Sequence, residues 1–478
     1  MSRKLSRREF LTLGGIMGFG AVLAACQPAA PTVAPTAAPA EKVEEPTAKV
    51  EEVEPEPQPV TETVTVEWMN WWGDQREALM DTCIERFEEE FPHIHVENQV
   101  QPWDNREQRA ATAIASGTPP GLLMITRAEA QKFAVEGLIV PIDDYIQIRG
   151  HDVYDIFLES EIDAMKFMDK TWSYPLPGSF LDNTMWFYNK NIMREFDMDP
   201  DVPPVTWQDV DTAMAAMTTF EGGLLETLGL AGPNGYFYSH IYCNNGQYYS
   251  DDARQLLFNS PEAVETVEWK VALLEVAGGI ESHSAFFEGL DWQKADHPFY
   301  TNKLCMQPHN VSAFGHFNTI APDMYADTDQ WGVMLVPYNA NNPGAKPTGI
   351  SGLAFTWNQV IGAALPANVR EAAYEWLEFF TMREEGGGYF LLSQGRPSPV
   401  RRFNDNPAYY DANPYWDQVR EIMEYDIGVP TTPVQTEIAD ILNRNLDEVW
   451  YGLAEPKDAL DATYDEAQPI LDAFWGEA

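Results

Sequence analysis

Four cysteines in 478 residues are too few for a disulfide framework, and no two of them form a C-x-x-C pair that would mark a zinc knuckle or a redox motif. Cys83 lies on an apolar helical stripe and reads as a core thiol, while a single Cys243–Cys305 bridge stays open. Basic residues are equally scarce: 30 Lys and Arg stand against 74 Asp and Glu, a formal net charge of -44. That balance excludes nucleic acid as a partner and argues against a broad contact with acidic lipid headgroups; solubility or a salty habitat accounts for it. No apolar run beyond residue 25 is long enough to cross a bilayer. Neither a P-loop nor an H-E-x-x-H motif is present, and Gly349-Ile350-Ser351-Gly352 runs into Leu353, which breaks a G-x-S-x-G elbow. Among 74 carboxylates some pair always falls at a catalytic separation, so their number supports no glycosidase. His93-Ile94-His95 offers two imidazoles on one strand face without a third ligand, and Asp197-Met198-Asp199-Pro200-Asp201 lacks the glycine and the terminal Glu of a calcium loop. The expectation is no metal, no cofactor and no catalytic residue.

The N-terminus carries an address. Ser6-Arg7-Arg8-Glu9-Phe10-Leu11 is followed by a short, glycine-rich apolar stretch and then Leu23-Ala24-Ala25-Cys26. Residues 1–26 read as a signal peptide ending in a lipobox, with Cys26 the lipidated first residue of the mature chain. The paired arginines resemble a twin-arginine export signal, with the general secretory route the alternative. Residues 27–60 are almost entirely Pro, Ala, Thr, Val, Glu and Lys, a composition that cannot bury a core and reads as a disordered tether. Aromatic and branched residues return near Thr61, where the folded part starts.

Thr63 to Trp68 alternates as a strand; after Trp71-Trp72-Gly73-Asp74 the apolar spacing changes to four, through Leu79, Cys83, Phe87 and Phe91. Phe91-Pro92 ends that helix before a second strand, Ile94 to Val100, so the chain opens with a βαβ unit and a parallel sheet. Ligands of such sheets gather beyond the carboxyl ends of the strands. Trp71 and Trp72 therefore become binding candidates, with Asp74 at the helix cap. A helix over Arg106 to Ser116 and a buried strand over Leu122 to Ile125 repeat the pattern and bring Arg127 to a strand end, where a guanidinium could bond a hydroxyl or carboxylate or form a surface ion pair.

Taken in order, several segments resemble the family 1 extracellular solute-binding proteins of ABC importers, the maltose- and multiple-sugar-binding type. They are Trp68-Met69-Asn70-Trp71-Trp72-Gly73, Phe87 to Pro92, Ala115-Ser116-Gly117-Thr118-Pro119, Ala134 to Asp144, and Tyr188-Asn189-Lys190 with Thr206-Trp207-Gln208-Asp209. Ala372 to Phe380 and a closing helix pair, Glu437 to Leu453 and Asp458 to Phe474, complete the match. Two departures stand out: Gly121 replaces an Asp usual in that family, and Val311-Ser312-Ala313-Phe314 stands where Gly-Pro-Trp is frequent. The resemblance implies an α/β protein of the two-lobe periplasmic-binding type II fold. Three hinge crossings, near Phe180 to Tyr188, Gly352 to Trp357 and Arg396 to Phe403, would join lobes that close on a ligand. The N-terminal lobe would comprise 61–182 and 355–398, the C-terminal lobe 188–352 and 402–478. Gly349 to Gly352 and Gly395 to Pro399 are turn-rich and suit hinge or cleft loops.

A sugar presents an apolar C–H face and a rim of hydroxyls, so its site needs flat aromatics and a few convergent polar groups. Among 15 Trp and 20 Tyr, position near loops selects Trp71, Trp72, Trp103, Trp172, Tyr236, Tyr238, Trp292 and Trp357. Polar partners are Asp74, Arg127, Asp182, Asn183, His309, Asn310, Ser351 and Arg396. The resemblance implies a non-enzymatic, monomeric, extracytoplasmic receptor on a lipid anchor, which hands a neutral sugar or oligosaccharide to the transmembrane permease subunits. A polyol, betaine or cationic solute, a surface carbohydrate-active enzyme and an adhesin without a small ligand are the alternatives. Replacing Cys26 by Ser should move the protein from the membrane to the soluble fraction; retention in the membrane would refute the anchor.

Overall fold

A computed structural model describes residues 63–73, 75–102, 104–175, 185–351 and 357–477. The signal, Cys26 and tether, the candidates Asp74, Trp103, Asp182 and Asn183, and crossing residues 180–184 and 352–356 lie outside the described residues, as does the side chain of Ser351. The first strands are β1 (Val64–Asn70), β2 (Ile94–Val100), β3 (Leu122–Thr126) and β4 (Ile139–Val140), then a small hairpin, β5 (Lys166–Phe167) and β6 (Lys170–Thr171). Next come β7 (Met185–Asn189), β8 (Thr219–Glu221), β9 (Leu224–Leu230), β10 (Leu304–His309) and β11 (Trp331–Leu335). The last are β12 (Gly349–Ser351), β13 (Trp357–Gly362) and β14 (Asp426–Gly428).

Two five-stranded sheets organise the chain. The first runs β2-β1-β3-β13-β4. β1 pairs in parallel with β2, from Val64 opposite Ile94 to Asn70 opposite Val100, and with β3, whereas β13 pairs antiparallel with β3 and β4. The period-four stripe forms the Gln75–Glu90 helix, with Cys83 and Phe87 fully buried. Trp68 of β1 meets Trp376 edge-on at 5.2 Å and Phe380 at 4.9 Å, and Phe87 meets Trp376 at 5.2 Å. The Ala367–Met382 helix thus returns late in the sequence to cover a sheet begun three hundred residues earlier.

The second sheet runs β11-β7-β10-β9-β8, with β9 and β10 parallel and β7 antiparallel to both of its neighbours. Phe187, Phe317, Trp331 and Trp292 pack behind it. Trp207 stacks on Trp269 at 4.1 Å with planes 1° apart. The closing helices, Gln435–Trp450 and Pro456–Glu477, bury Ile438, Leu446, Leu460 and Leu471 in a further cluster shared with the Pro261–Val276 helix.

Several expectations need correction. Gly349–Ser351 is not a loop: it forms β12, parallel to β14, which gives its backbone partners and buries Ile350 to 1% exposed. In the departing segment Val311 to Phe314, Phe314 is fully buried and edge-on to Phe187 at 5.2 Å. Cys243 and Cys305 are unbridged. Their thiols face carbonyls of Thr348 (3.2 Å) and Asn189 (3.8 Å), and burial pushes both up to about 12, as it does Cys83. Met185 opens β7 of the second sheet, and Phe403 packs with the first lobe's core.

Gly121 has a steric reason. A Cβ there would stand 2.8 Å from Val66 Cγ1 and 3.2 Å from Val66 Cα, so the turn into β3 runs against β1 with no room for a side chain. Gly121→Ala should cost about 1–3 kcal/mol by overpacking, read as a lowered urea midpoint. An unchanged midpoint would show that β1 yields.

Candidate functional site

Thr126 at the end of β3 and Asn234 to Tyr238 after β9 line one cavity, as ligands of such sheets gather beyond the carboxyl ends of strands. After β1, buried Asn70 turns the chain: its Oδ1 accepts from Trp72 N at 3.1 Å and its Nδ2 donates to Asn98 Oδ1 at 2.8 Å. Trp71 is thereby folded back into the lobe, and its Nε1 donates to Met124 O at 2.7 Å. Trp72, 3% exposed, lies flat on Phe390 at 5.3 Å, with the Arg76 guanidinium 5.7 Å from its ring. Neither indole lines a described cavity.

At the end of β3, Thr126 and Glu129 form a reciprocal capping box that starts the Arg127–Val135 helix. Glu129 Oε2 also accepts from Arg106 Nη1 at 2.7 Å, and the Arg106 guanidinium lies 5.5 Å from the Trp357 ring, the residue opposite Thr126 in β13. Arg106, 7% exposed, is balanced again by Glu107 at 3.1 Å. Arg106, held by Glu129, lines the first lobe's wall of a cavity of about 490 Å³ together with Glu107, Thr126 and Ala128. The opposite wall comes from the second lobe: Asn234 to Tyr238 after β9, Tyr248, and the Gln435–Trp450 helix.

A second cavity, about 540 Å³, lies within the second lobe between Trp292, His309, Gln307, Asp291, His283 and His297. Asn234 and Tyr236 line both cavities. Trp292 Nε1 and Gln307 Oε1 are buried there without a protein partner, one a donor and the other an acceptor. A hydroxyl can satisfy both kinds of group. Burial pushes the imidazoles of His283, His297 and His309 down to about 4.

A third cavity, about 1130 Å³, also touches both lobes; its lining includes Arg127, Gln131, Asp163, Arg401 and Arg420. Arg127 Nη1 donates across the lobes to Val429 O at 2.6 Å, and burial lowers its pKa to about 10 against the pull of Asp163 and Glu161. This space is rimmed by charged side chains and few rings, whereas the other two combine rings with amides and hydroxyls.

Of the expected binding residues, Tyr236, Tyr238, Trp292 and His309 are thus brought together around one loop, with Trp357 under Arg106. Trp172 is not among them: it is 9% exposed, with its Nε1 on Phe167 O at 2.9 Å. Asn310 closes a turn, accepting from Ser312 N at 2.9 Å. Arg396 is 1% exposed and donates to Gln394 Oε1 at 3.1 Å; burial first, and Arg76 beside it, lower its pKa to about 9. Arg106, Glu129 and Gln435 were not anticipated. The T-x-x-E capping signature at Thr126 to Glu129 was readable, but nothing local ties Glu129 to an arginine 23 residues earlier. Among the described residues no group of three or more His, Cys, Asp or Glu could hold a metal ion, and no helix is long and apolar enough to cross a membrane.

A family profile described as bacterial extracellular solute-binding protein matches residues 72–386, and the chain belongs to that family, whose members bind solutes rather than catalyse reactions. Within it, the chain is 23% identical over 442 residues to the sn-glycerol-3-phosphate-binding periplasmic protein UgpB of Escherichia coli K12, covering 85% of this chain and 92% of that one. Its fold is similar to an ABC substrate-binding protein from Listeria monocytogenes solved with cycloalternan, with TM-score 0.70 and 18% identity over 87% of this chain and all of that one. It is also similar to the maltose/maltodextrin-binding domain MalE of Bdellovibrio bacteriovorus bound to maltotriose, with TM-score 0.67 and 17% identity over 87% and 100%. These are two-lobe periplasmic binding proteins, and the present chain has their α/β fold.

The histidines give the site a pH dependence. An imidazole that binds its proton near pH 4 when folded and near 6.5 when unfolded makes the unfolded chain take up protons first as pH falls. The contribution of these histidines to stability is full above about pH 6.5 and is lost as pH drops from there toward 4. His283→Gln should flatten that slope in urea titrations at pH 7, 5.5 and 4.5; an unchanged slope would show that His283 titrates normally.

Proposed function

We propose that this protein is the lipid-anchored substrate-binding component of an ABC importer, which captures a neutral sugar or oligosaccharide outside the cytoplasmic membrane and delivers it to the permease. The observation that carries this reading is the cavity walled by both lobes, where the rings of Tyr236, Phe237, Tyr238, Tyr248 and Trp450 alternate with Asn234, Gln435 and Asn443. Ring faces suit the C–H surface of a pyranose, and amides suit its hydroxyls. Because a solute there would touch both lobes only when they are closed, binding would shift an open–closed equilibrium toward the closed form that a permease can recognise. The protein would act as a monomer, reaching the permease from its Cys26 anchor on the 27–60 tether.

A phosphorylated polyol is the second reading, favoured by the relatives named for sn-glycerol-3-phosphate. Charge weighs against it. Arg106, the cation on the shared cavity, is already matched by Glu107 and Glu129, so a doubly charged anion would have to displace a carboxylate or remain unneutralised.

Thermal unfolding of residues 61–478 against mono- and oligosaccharides, polyols, betaine and sn-glycerol-3-phosphate separates the readings, since a ligand at a hundred times its Kd adds about 2.7 kcal/mol. A shift with an oligosaccharide supports the first reading, one with sn-glycerol-3-phosphate alone replaces it, and compaction on binding should appear in solution scattering. Tyr236→Ala and Tyr238→Ala should each weaken binding of the hit by about 1–3 kcal/mol while leaving the unfolding midpoint nearly unchanged. Full affinity in both variants would move the site elsewhere.

A further inference from the structure

Lys270 sits in the middle of the Pro261–Val276 helix and is 1% exposed. A charge so deep needs its hydrogen bonds supplied by the protein. Its Nζ donates to Pro233 O at 3.2 Å and to Gly235 O, and meets His240 Nδ1 at 2.6 Å. An ammonium has three N–H donors and no acceptor, so these three contacts use it completely. All three partners lie on one segment, 233–240, which leaves β9 and carries Asn234, Tyr236 and Tyr238 to the two cavities.

The segment needs a holder. Gly232 has φ +56° and Tyr236 φ +57°, and a tyrosine keeps a left-handed backbone only where its surroundings impose it. Gly232 N donates to His283 Nε2 at 3.1 Å, and Gly235 N closes a turn onto Gly232 O at 2.8 Å. The carbonyls of Pro233 and Gly235 accept from Lys270. Since the ammonium donates to Nδ1 of His240, that ring carries its proton on Nε2. Its plane stands edge-on to Trp186 and Trp269, at 5.6 Å from each.

We propose that Lys270 is a positioning residue of the solute site: its amine holds the Pro233–His240 loop in the turn that presents Asn234, Tyr236 and Tyr238. The proposal rests on the two-lobe capture reading given above. Burial brings the Lys270 amine down to about 7, so its three acceptors offset only part of the desolvation cost of the charge.

The groups facing this amine from its neighbours are few. His240, on the loop, is held well below its usual range by burial and by Lys270 itself. Cys243, on the turn that follows, is neutral, its thiol pushed up to about 12. Asp211, on the Trp207–Met217 helix, is turned to Trp269 Nε1 at 2.8 Å, and Glu265, on the helix of Lys270, accepts from Asn244 Nδ2 at 2.9 Å. Lys270 forms none of the ion pairs found among the described residues.

Amide hydrogen exchange on the folded chain tests this without knowledge of the solute. At a single pH, protection of residues 233–240 should fall about tenfold from the wild type to Lys270→Met, while β1 and β3 keep theirs. Unchanged protection of the loop in the variant, or a loss shared by the whole second lobe, overturns the proposal. Should Lys270→Met fail to fold, Lys270→Gln is read in the same way. Titration with maltotriose keeps the two readings apart: if it binds the wild type, its Kd should rise in the variant, and an unchanged Kd overturns the positioning role. If maltotriose does not bind, the sugar reading suffers while the exchange result still stands for or against Lys270.

Discussion

The antiparallel pairing of β13 between β3 and β4 is the constraint on which the rest of the molecule depends. Every strand must satisfy its backbone groups, and the first sheet meets that demand with a strand from residues 357–362, far from its other members. The chain therefore has to leave the first lobe, build the second and return. That return brings Trp357 beside Thr126 and sets its ring under Arg106, so one wall of the shared cavity is assembled from segments some 230 to 250 residues apart.

The two walls differ in how they are held. On the first lobe a carboxylate does the work: Glu129 accepts from Thr126 N, Thr126 Oγ1 and Arg106 Nη1, at 2.8, 2.8 and 2.7 Å. On the second lobe a cation does it, with Lys270 gathering acceptors from a single loop. Both are buried charges with well-placed partners, and a buried charge gains orientation for its neighbours at a desolvation cost that apolar packing would avoid. Such costs are most readily explained where geometry matters, and each of these lies directly behind residues that line the cavities. The large negative charge of the chain does not enter the site in the same way, because the acids that line the shared cavity are either matched by Arg106 or sit on the exposed face of the Gln435–Trp450 helix.

Much of this was legible before any coordinates. The alternation in β1, the four-residue spacing through Cys83 and Phe87 and the boundaries of β2 follow from local periodicity, which burial on one face enforces, whereas the closing helix pair is what the family resemblance implies. The aromatic candidates were less legible. Trp71, Trp172 and Tyr236 look alike in sequence, each beside a loop, but Trp71 and Trp172 find carbonyls inside the first lobe while Tyr236 is turned outward by a left-handed backbone. Short-range pattern cannot choose between these fates, since the carbonyl that captures an indole can lie 53 residues away.

Local chemistry was thus enough for the opening βαβ unit, the α/β class and the acidic balance, because each depends on residues near one another or on composition alone. Long-range packing settled the rest. It turned Gly349–Ser351 into a strand by giving it β14, spent Phe314 and two tryptophans on the cores, and set a lysine, a histidine and two carbonyls around one amine. The reason is physical: burial and hydrogen-bond satisfaction are properties of a neighbourhood, and in a chain that crosses between two lobes most neighbours are distant in sequence.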